Sequence, residues 1–183
     1  AVSQGTKFSA NVVSYNSSQG EVNYLTGVVA AYMSKTGKLG FESGMKIPSM
    51  LSALNAFQDG AKSVNPKIEV LSGYPGVWSD NEKSRQTCLA MVDAGADVLM
   101  AKGDLGHIMV CKERKVLCIG NVTDQWDLAP GQVLVSQVQN FAPYIKLMLA
   151  DIKAGKFHPF TGPIKDNEGK ERLAAGKVID DAT

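Results

Sequence analysis

Histidine is nearly missing from this 183-residue chain, which holds two, and its three cysteines form no C-x-x-C pair. Metal centres are built from clustered His, Cys and carboxylate ligands, so neither count nor spacing points to one. An excess of either charge is missing too: 19 Lys and Arg against 18 Asp and Glu leave a formal net charge of +1. A nucleic-acid binder carries a basic face or stripe, and none stands out, so no nucleic-acid partner is expected. No apolar run approaches the ~20 residues that span a bilayer. The chain opens on Ala-Val-Ser with no signal-peptide pattern, so no leader names a compartment. Signatures of nucleotide and acyl chemistry are also lacking: there is no G-x-x-x-x-G-K-[ST], no G-x-G-x-x-G after a strand and no G-x-S-x-G. Gly103-Asp104-Leu105-Gly106 is too short for a dinucleotide fingerprint, and Lys35-Thr36-Gly37 reads as a helix end with its glycine stop. No catalytic residue, cofactor or metal follows, and an enzyme is not expected. Cys88, Cys111 and Cys118 read as small buried hydrophobes, with a Cys111–Cys118 disulfide or a reactive thiol as the alternatives.

What is present is a regular alternation. Hydrophobic residues make up 44% of the chain, enough for a packed core. Residues 19–35 read as a helix, with Ser18 and Glu21 spaced as a capping box and Gly37 as the stop. Lys38 to Phe41 form a short strand. Pro48 opens a second helix, where its missing N–H costs nothing, and Met50, Leu51, Leu54, Phe57 and Ala61 share one face of it. Ile68 to Leu71 form a strand. Ser79, with Glu82 in capping-box spacing, starts a third helix that Gly95 ends, and Asp97 to Met100 follow as a buried strand. A short helix at 105–114, strands at 116–119 and 133–135, and a last helix at 138–153 complete the series. Pro143 places the regular part of that last helix near itself. The tail from Gly155 is polar, with one short strand expected at Gly176 to Ile179.

Short strands alternating with longer helices predict βαβ units: an α/β fold, a doubly wound parallel sheet with helices on both faces. Ligands of such sheets bind outside the carboxyl ends of the strands. That directs attention to the loops Glu42 to Ile47, Gly73 to Ser79, Ala101 to His107 and Gly120 to Pro130. Trp78, at a strand–helix junction, either stacks on a flat ring or covers the sheet edge. Gly120 to Gln125 place amides, a hydroxyl and a carboxylate at a strand end, where a sugar or base would be hydrogen-bonded, although turns favour the same residue types. Trp126 reads as a second ring platform or as a packing residue. His107 lies on a site loop with Asp104 and is a ligand-facing candidate, with a metal role as the lesser reading. His158 reads as a surface residue.

Taken in order, several stretches resemble a known family. They are Leu25-Thr26-Gly27 through Ala30-Ala31, Ser34 to Phe41, Gly60-Ala61-Lys62, Val64-Asn65-Pro66, Gly76 to Asp80, Gly95 to Val98, Ile119-Gly120 and Asp124-Gln125. The series is similar to the basic membrane protein (BMP) group of ABC-transporter solute-binding proteins, related to purine nucleoside receptors. The likeness runs from residue 8 to 154. It implies a type I periplasmic binding protein fold, in which lobes close on a ligand like a hinged clamp. Residues 1–154 would be the second lobe, with a crossover near 136–144. Residues 155–183 would be a tail returning towards a first lobe that precedes Ala1.

The implied function is capture of a purine nucleoside or nucleobase, with no covalent step, for delivery to an ABC permease. The implied location is exported, periplasmic or anchored as a lipoprotein. The implied contacts are Trp78 stacking on the ring, Asn121, Asp124 and Gln139 hydrogen-bonding it, His107 facing it, and Gly103 and Gly106 admitting a close backbone approach. Val122 stands where the family commonly has an Asp for a ribose hydroxyl, and Gln139 where it often has a Lys. The stretch Gln139 to Tyr144 resembles the subgroup that takes nucleobases. The alternatives are a ligand-sensing regulatory module, an enzyme on the same type of sheet, and a self-associating half-protein that forms a homodimer.

Overall fold

The structure, a computed structural model, describes residues 19–155, 164–165 and 169–174. The chain divides into two compact units, Ser18–Gln139 and a second made of Ala1–Ser17 with Asn140–Thr183. In the first unit the order is α1 (Gly20–Met33), β1 (Lys38–Glu42), α2 (Pro48–Val64), β2 (Glu69–Gly73), α3 (Asn81–Asp93), β3 (Val98–Ala101), α4 (Gly106–Arg114), β4 (Leu117–Val122), a 3-10 turn (Trp126–Leu128) and β5 (Val133–Val138). The second unit contains α5 (Ala142–Lys153) and a short antiparallel pair, β6 (Ile164–Lys165) with β7 (Glu171–Leu173).

The sheet of the first unit has five parallel strands in the order β2-β1-β3-β4-β5. This is the doubly wound α/β fold that the alternation of strands and helices predicts. Side chains alternate across each strand, so every central strand feeds two cores. Leu39, Phe41, Val98, Met100 and Ile119 face one side, where they meet Ala30 and Ala31 of α1 and Phe57 and Ala61 of α2. Leu99 and Cys118 face the other, with Cys88 and Met91 of α3 and Ile108, Val110 and Cys111 of α4. All three cysteines are free and buried in that second core, the reading preferred from their setting. Burial pushes the Cys88 and Cys111 thiols well above their ordinary range, which leaves them inert.

Two stretches of the family pattern prove to be one latch. The Asp97 carboxylate accepts from the Ser34 hydroxyl at 2.6 Å, the Lys35 amide at 2.6 Å and the Thr36 amide at 2.9 Å. It thereby ties the turn between α1 and β1 to the start of β3. Gly37 and Gly95 close their turns at φ 73° and 101°, where other residues are strained.

Several boundaries moved, three of them for visible reasons or by the most residues. Asp80, rather than Ser79, caps α3, its side chain accepting from the Lys83 amide at 3.0 Å. The stretch read as a helix from 138 begins as strand through Val138, because its residues pair with β4; the helix starts at Ala142 with Pro143 in its first turn. β4 extends to Val122, three residues past the expected end. The expected Ser18 cap, the 176–179 strand and His158 lie outside the described residues.

Helices α1 and α2 cross at two glycines. A Cβ on Gly60 would strike the Tyr24 carbonyl, and one on Gly27 the Phe57 carbonyl, both backbone atoms that cannot swing aside. In an open helix, Gly to Ala gains about 1 kcal/mol. Here Gly60→Ala is expected to cost ~1–3 kcal/mol through overpacking, read as a lowered urea midpoint at unchanged slope. A neutral or stabilising outcome would mean that the two helices do not cross this closely.

Candidate functional site

The chain leaves β1 for β2 on one side and reaches β3 on the other, so the crevice of this sheet opens between the carboxyl ends of β1 and β3. Two buried charged residues end those strands. Glu42 is the last residue of β1 and fully buried; Lys102 directly follows β3 and is 7% exposed. The Lys102 amide donates to the Glu42 carbonyl at 2.8 Å, but alternation sends the two side chains to opposite faces.

Lys102 lies on the α1–α2 face. Its ammonium donates to Asn121 Oδ1 at 3.4 Å and, at closer range, to Gln137 Oε1. Asn121 and Gln137 are register partners on β4 and β5, so the three side chains form a row across three strand ends. Among the described residues no carboxylate forms an ion pair with Lys102. Burial pushes its ammonium down to about 7.

Glu42 lies on the α3–α4 face. Burial pushes its carboxyl up to about 7, with Asp104 adding to the rise and the Gly103 amide and Ser84 hydroxyl opposing it. No group among the described residues reaches hydrogen-bond geometry with either carboxylate oxygen, or with the buried Ser84 hydroxyl. Gly103 is needed here: a Cβ would lie 2.7 Å from Glu42 Oε1. Gly106 packs the start of α4 onto α3, where a Cβ would strike the Arg85 amide and the Ser84 hydroxyl.

The loop after β4 is locked from inside. Gln125 Oε1 accepts from the Asn121 amide at 3.0 Å. Ser136 Oγ accepts from the Gln125 amide at 3.0 Å and donates to Asp124 Oδ1 at 3.0 Å, which also takes the Trp126 amide at 3.1 Å. Val122 sits at φ 68°, and the Thr123 amide donates to the Asn121 carbonyl at 2.8 Å, a strained three-residue turn for a β-branched side chain.

The residues singled out from sequence therefore fall into two groups. Asn121 lies in the buried row, and Trp78, 41% exposed, leans on Gly44 of the loop after β1, where a Cβ would lie 2.5 Å from its ring. Gln139 is half-buried at the edge, its amide on the Val122 carbonyl at 2.9 Å. Asp124 is exposed and holds the Trp126 amide and the Ser136 hydroxyl of β5 with Oδ1. His107 is drawn inward rather than towards a ligand: it is fully buried, with Nδ1 3.2 Å from the Asp104 carbonyl and Nε2 3.2 Å from the Ile119 carbonyl. Burial pulls its imidazole down to about 4, so it is neutral and joins α4 to β4. Glu42, Lys102, Ser84 and Gln137 were not singled out. The signal was a charge directly ending an apolar strand, Gly40-Phe41-Glu42 and Met100-Ala101-Lys102.

The sheet order and the strand ends define a doubly wound α/β unit with charged and amide side chains gathered at the carboxyl ends of its strands. The chain belongs to the Bmp family, ABC transporter substrate-binding protein PnrA-like, which matches residues 1–158. It is 30% identical to a purine-binding protein of Brucella abortus over 98% of this chain and 63% of that protein, so it spans less than two thirds of that relative. A transcriptional activator of the comK gene from Bacillus halodurans superposes with a TM-score of 0.71 at 28% identity, covering 82% of this chain and 53% of that one. An ABC transporter solute-binding protein from Conexibacter woesei superposes with a TM-score of 0.61 at 25% identity, over 99% and 63%.

Two outcomes test this geometry. Glu42 titrates from 4.5 unfolded towards about 7 folded, so the native state holds the extra proton between those values and loses stability as pH rises through them. The stability advantage of Glu42→Gln over the parent is expected to grow across that window, by on the order of 1–3 kcal/mol, and to level off above it. An advantage that does not vary with pH in chemical denaturation contradicts the buried, unpartnered carboxyl. Val122→Asn, which tolerates a left-handed backbone, is expected to raise the unfolding free energy by ~1 kcal/mol.

Proposed function

We propose that the chain is the ligand-binding lobe of an exported solute-binding protein that captures a purine nucleoside or nucleobase and delivers it to an ABC permease. The observation that carries this reading is the row of polar side chains along the carboxyl ends of β3, β4 and β5, starting beside the crevice of the sheet, in a family of substrate-binding proteins with a purine-binding relative. Capture is by lobe closure, with no covalent step. In this reading the compact unit Ser18–Gln139 supplies one jaw. Trp78 lies on the base, Asn121 and Gln139 contact its edge, and Gly103 admits the ligand close to the backbone. The strained Val122 stands where a ribose-binding carboxylate would be, which favours a free base over a nucleoside.

A second reading has one specific observation behind it, the transcriptional activator among the similar structures. In that reading the same lobe senses the ligand and regulates. A neighbouring permease gene argues for transport, and a neighbouring regulatory domain for sensing.

Calorimetric titration of the full-length gene product with adenine, adenosine, guanosine and inosine tests the purine reading. Binding of at least one purine is expected, and Trp78→Ala is expected to weaken it by about ten- to a hundredfold, the worth of one stacked base. No heat from any purine removes the assignment, and unchanged affinity in Trp78→Ala removes the stacking role.

A further inference from the structure

The row Lys102–Asn121–Gln137 offers hydrogen-bond donors and nothing else. An ammonium only donates, so an amide that meets it must turn its carbonyl oxygen inward. Asn121 Oδ1 and Gln137 Oε1 both do. The orientation of a side-chain amide is ordinarily ambiguous, but here the chemistry of the ammonium fixes it. The two amide nitrogens must then turn away from Lys102. Neither has a hydrogen-bond partner among the described residues, and neither is among the fully buried unpartnered atoms, so both remain open at the strand ends. Each amide presents two N–H groups. Below about pH 7, where Lys102 is charged, its ammonium keeps a third proton beyond the two that it gives to Asn121 and Gln137, and no carboxylate among the described residues pairs with it.

A donor-only lip is complemented by an edge made of acceptors. Purines differ in this respect. A 6-oxopurine presents O6 and N7 side by side, both acceptors, whereas a 6-aminopurine presents the N7 acceptor beside an N6 donor. Set against this row, an exocyclic amino group would point N–H at N–H and leave buried donors unpaired, which is the strongest form of rejection available to a polar site. A carbonyl oxygen in the same place would accept from the row and bring partial negative charge to Lys102, which no carboxylate among the described residues compensates.

We infer that Lys102, Asn121 and Gln137 select the 6-oxo edge of a purine, the hypoxanthine and guanine class, against the 6-amino edge of adenine. The inference rests on the purine reading given above and adds the class of purine. Lys102 is the source of the selectivity, because its N–H groups orient both amides; Asn121 and Gln137 deliver it.

The test is a pair of calorimetric titrations of the full-length gene product, with hypoxanthine and with adenine. Hypoxanthine is expected to bind at least ~10-fold more tightly, the size of one donor left unpaired. Lys102→Met frees both amides to turn and is expected to bring the ratio close to one. Gln137→Glu guards against a Lys102 variant that does not fold: it supplies Lys102 with a counter-ion and the lip with an acceptor, and is expected to shift the ratio towards adenine. Adenine binding as tightly as hypoxanthine in the parent, or a ratio untouched by Gln137→Glu, overturns the inference and leaves the purine reading in place. Silence from both bases and from the nucleosides overturns the purine reading, and this inference with it.

Discussion

Burial of β1 and β3 on both faces is the constraint from which the rest follows. Helices cover either side of these strands, and Leu39, Phe41, Val98, Leu99 and Met100 are fully buried. A polar side chain within such a strand would meet hydrocarbon on whichever face it pointed. Polar chemistry is therefore pushed to the carboxyl ends, where the sheet stops and the loops begin. Glu42 and Lys102 occupy those ends on adjacent strands, yet the pleat sends them apart, so the two opposite charges do not neutralise each other. Each is left buried and close to neutral titration, one on each side of the same crevice.

The residues that make the family pattern visible mostly do something other than bind. Asp97 gathers the Ser34 hydroxyl and two amides of the α1–β1 turn, at the end of the sheet away from the crevice. Gly27 and Gly60 let α1 and α2 touch backbone to backbone. These contacts set the angle and depth at which the helices cover the sheet, and so where its crevice opens. The loop after β4 is fastened by Gln125, Ser136 and Asp124, and it holds Asn121 in line with Gln137. The strain at Val122 is the local cost of turning the chain sharply beside that row.

Much of the fold was legible in the sequence. Apolar periodicity, Pro48 at a helix start and glycines at helix ends placed each α-helix and strand of the first unit to within a few residues. The order of strands and helices then left a doubly wound parallel sheet as the architecture. The family pattern was legible for the same reason, since its Gly, Asp and Asn-Pro positions are turns and close contacts that few other residues can supply. Boundaries slipped where tertiary pairing outweighed local pattern: 133–138 lengthened as a strand because β4 lies beside it, and Asp80 took the cap from Ser79.

The site was legible only as a set of loops. His107 carried the chemistry of a ligand contact and sits instead between two carbonyls in the core. Lys102, Asn121 and Gln137 meet although they are 19 and 35 residues apart, and Ser34 reaches Asp97 across 63. Periodicity shows which face a residue takes on its own strand, but not which strand lies alongside or at what register. The sequence by itself determined the elements, their order and the end of the sheet where polar groups could collect. Only the tertiary structure decided which of those groups share a face, because register and sheet order are set by packing between distant segments.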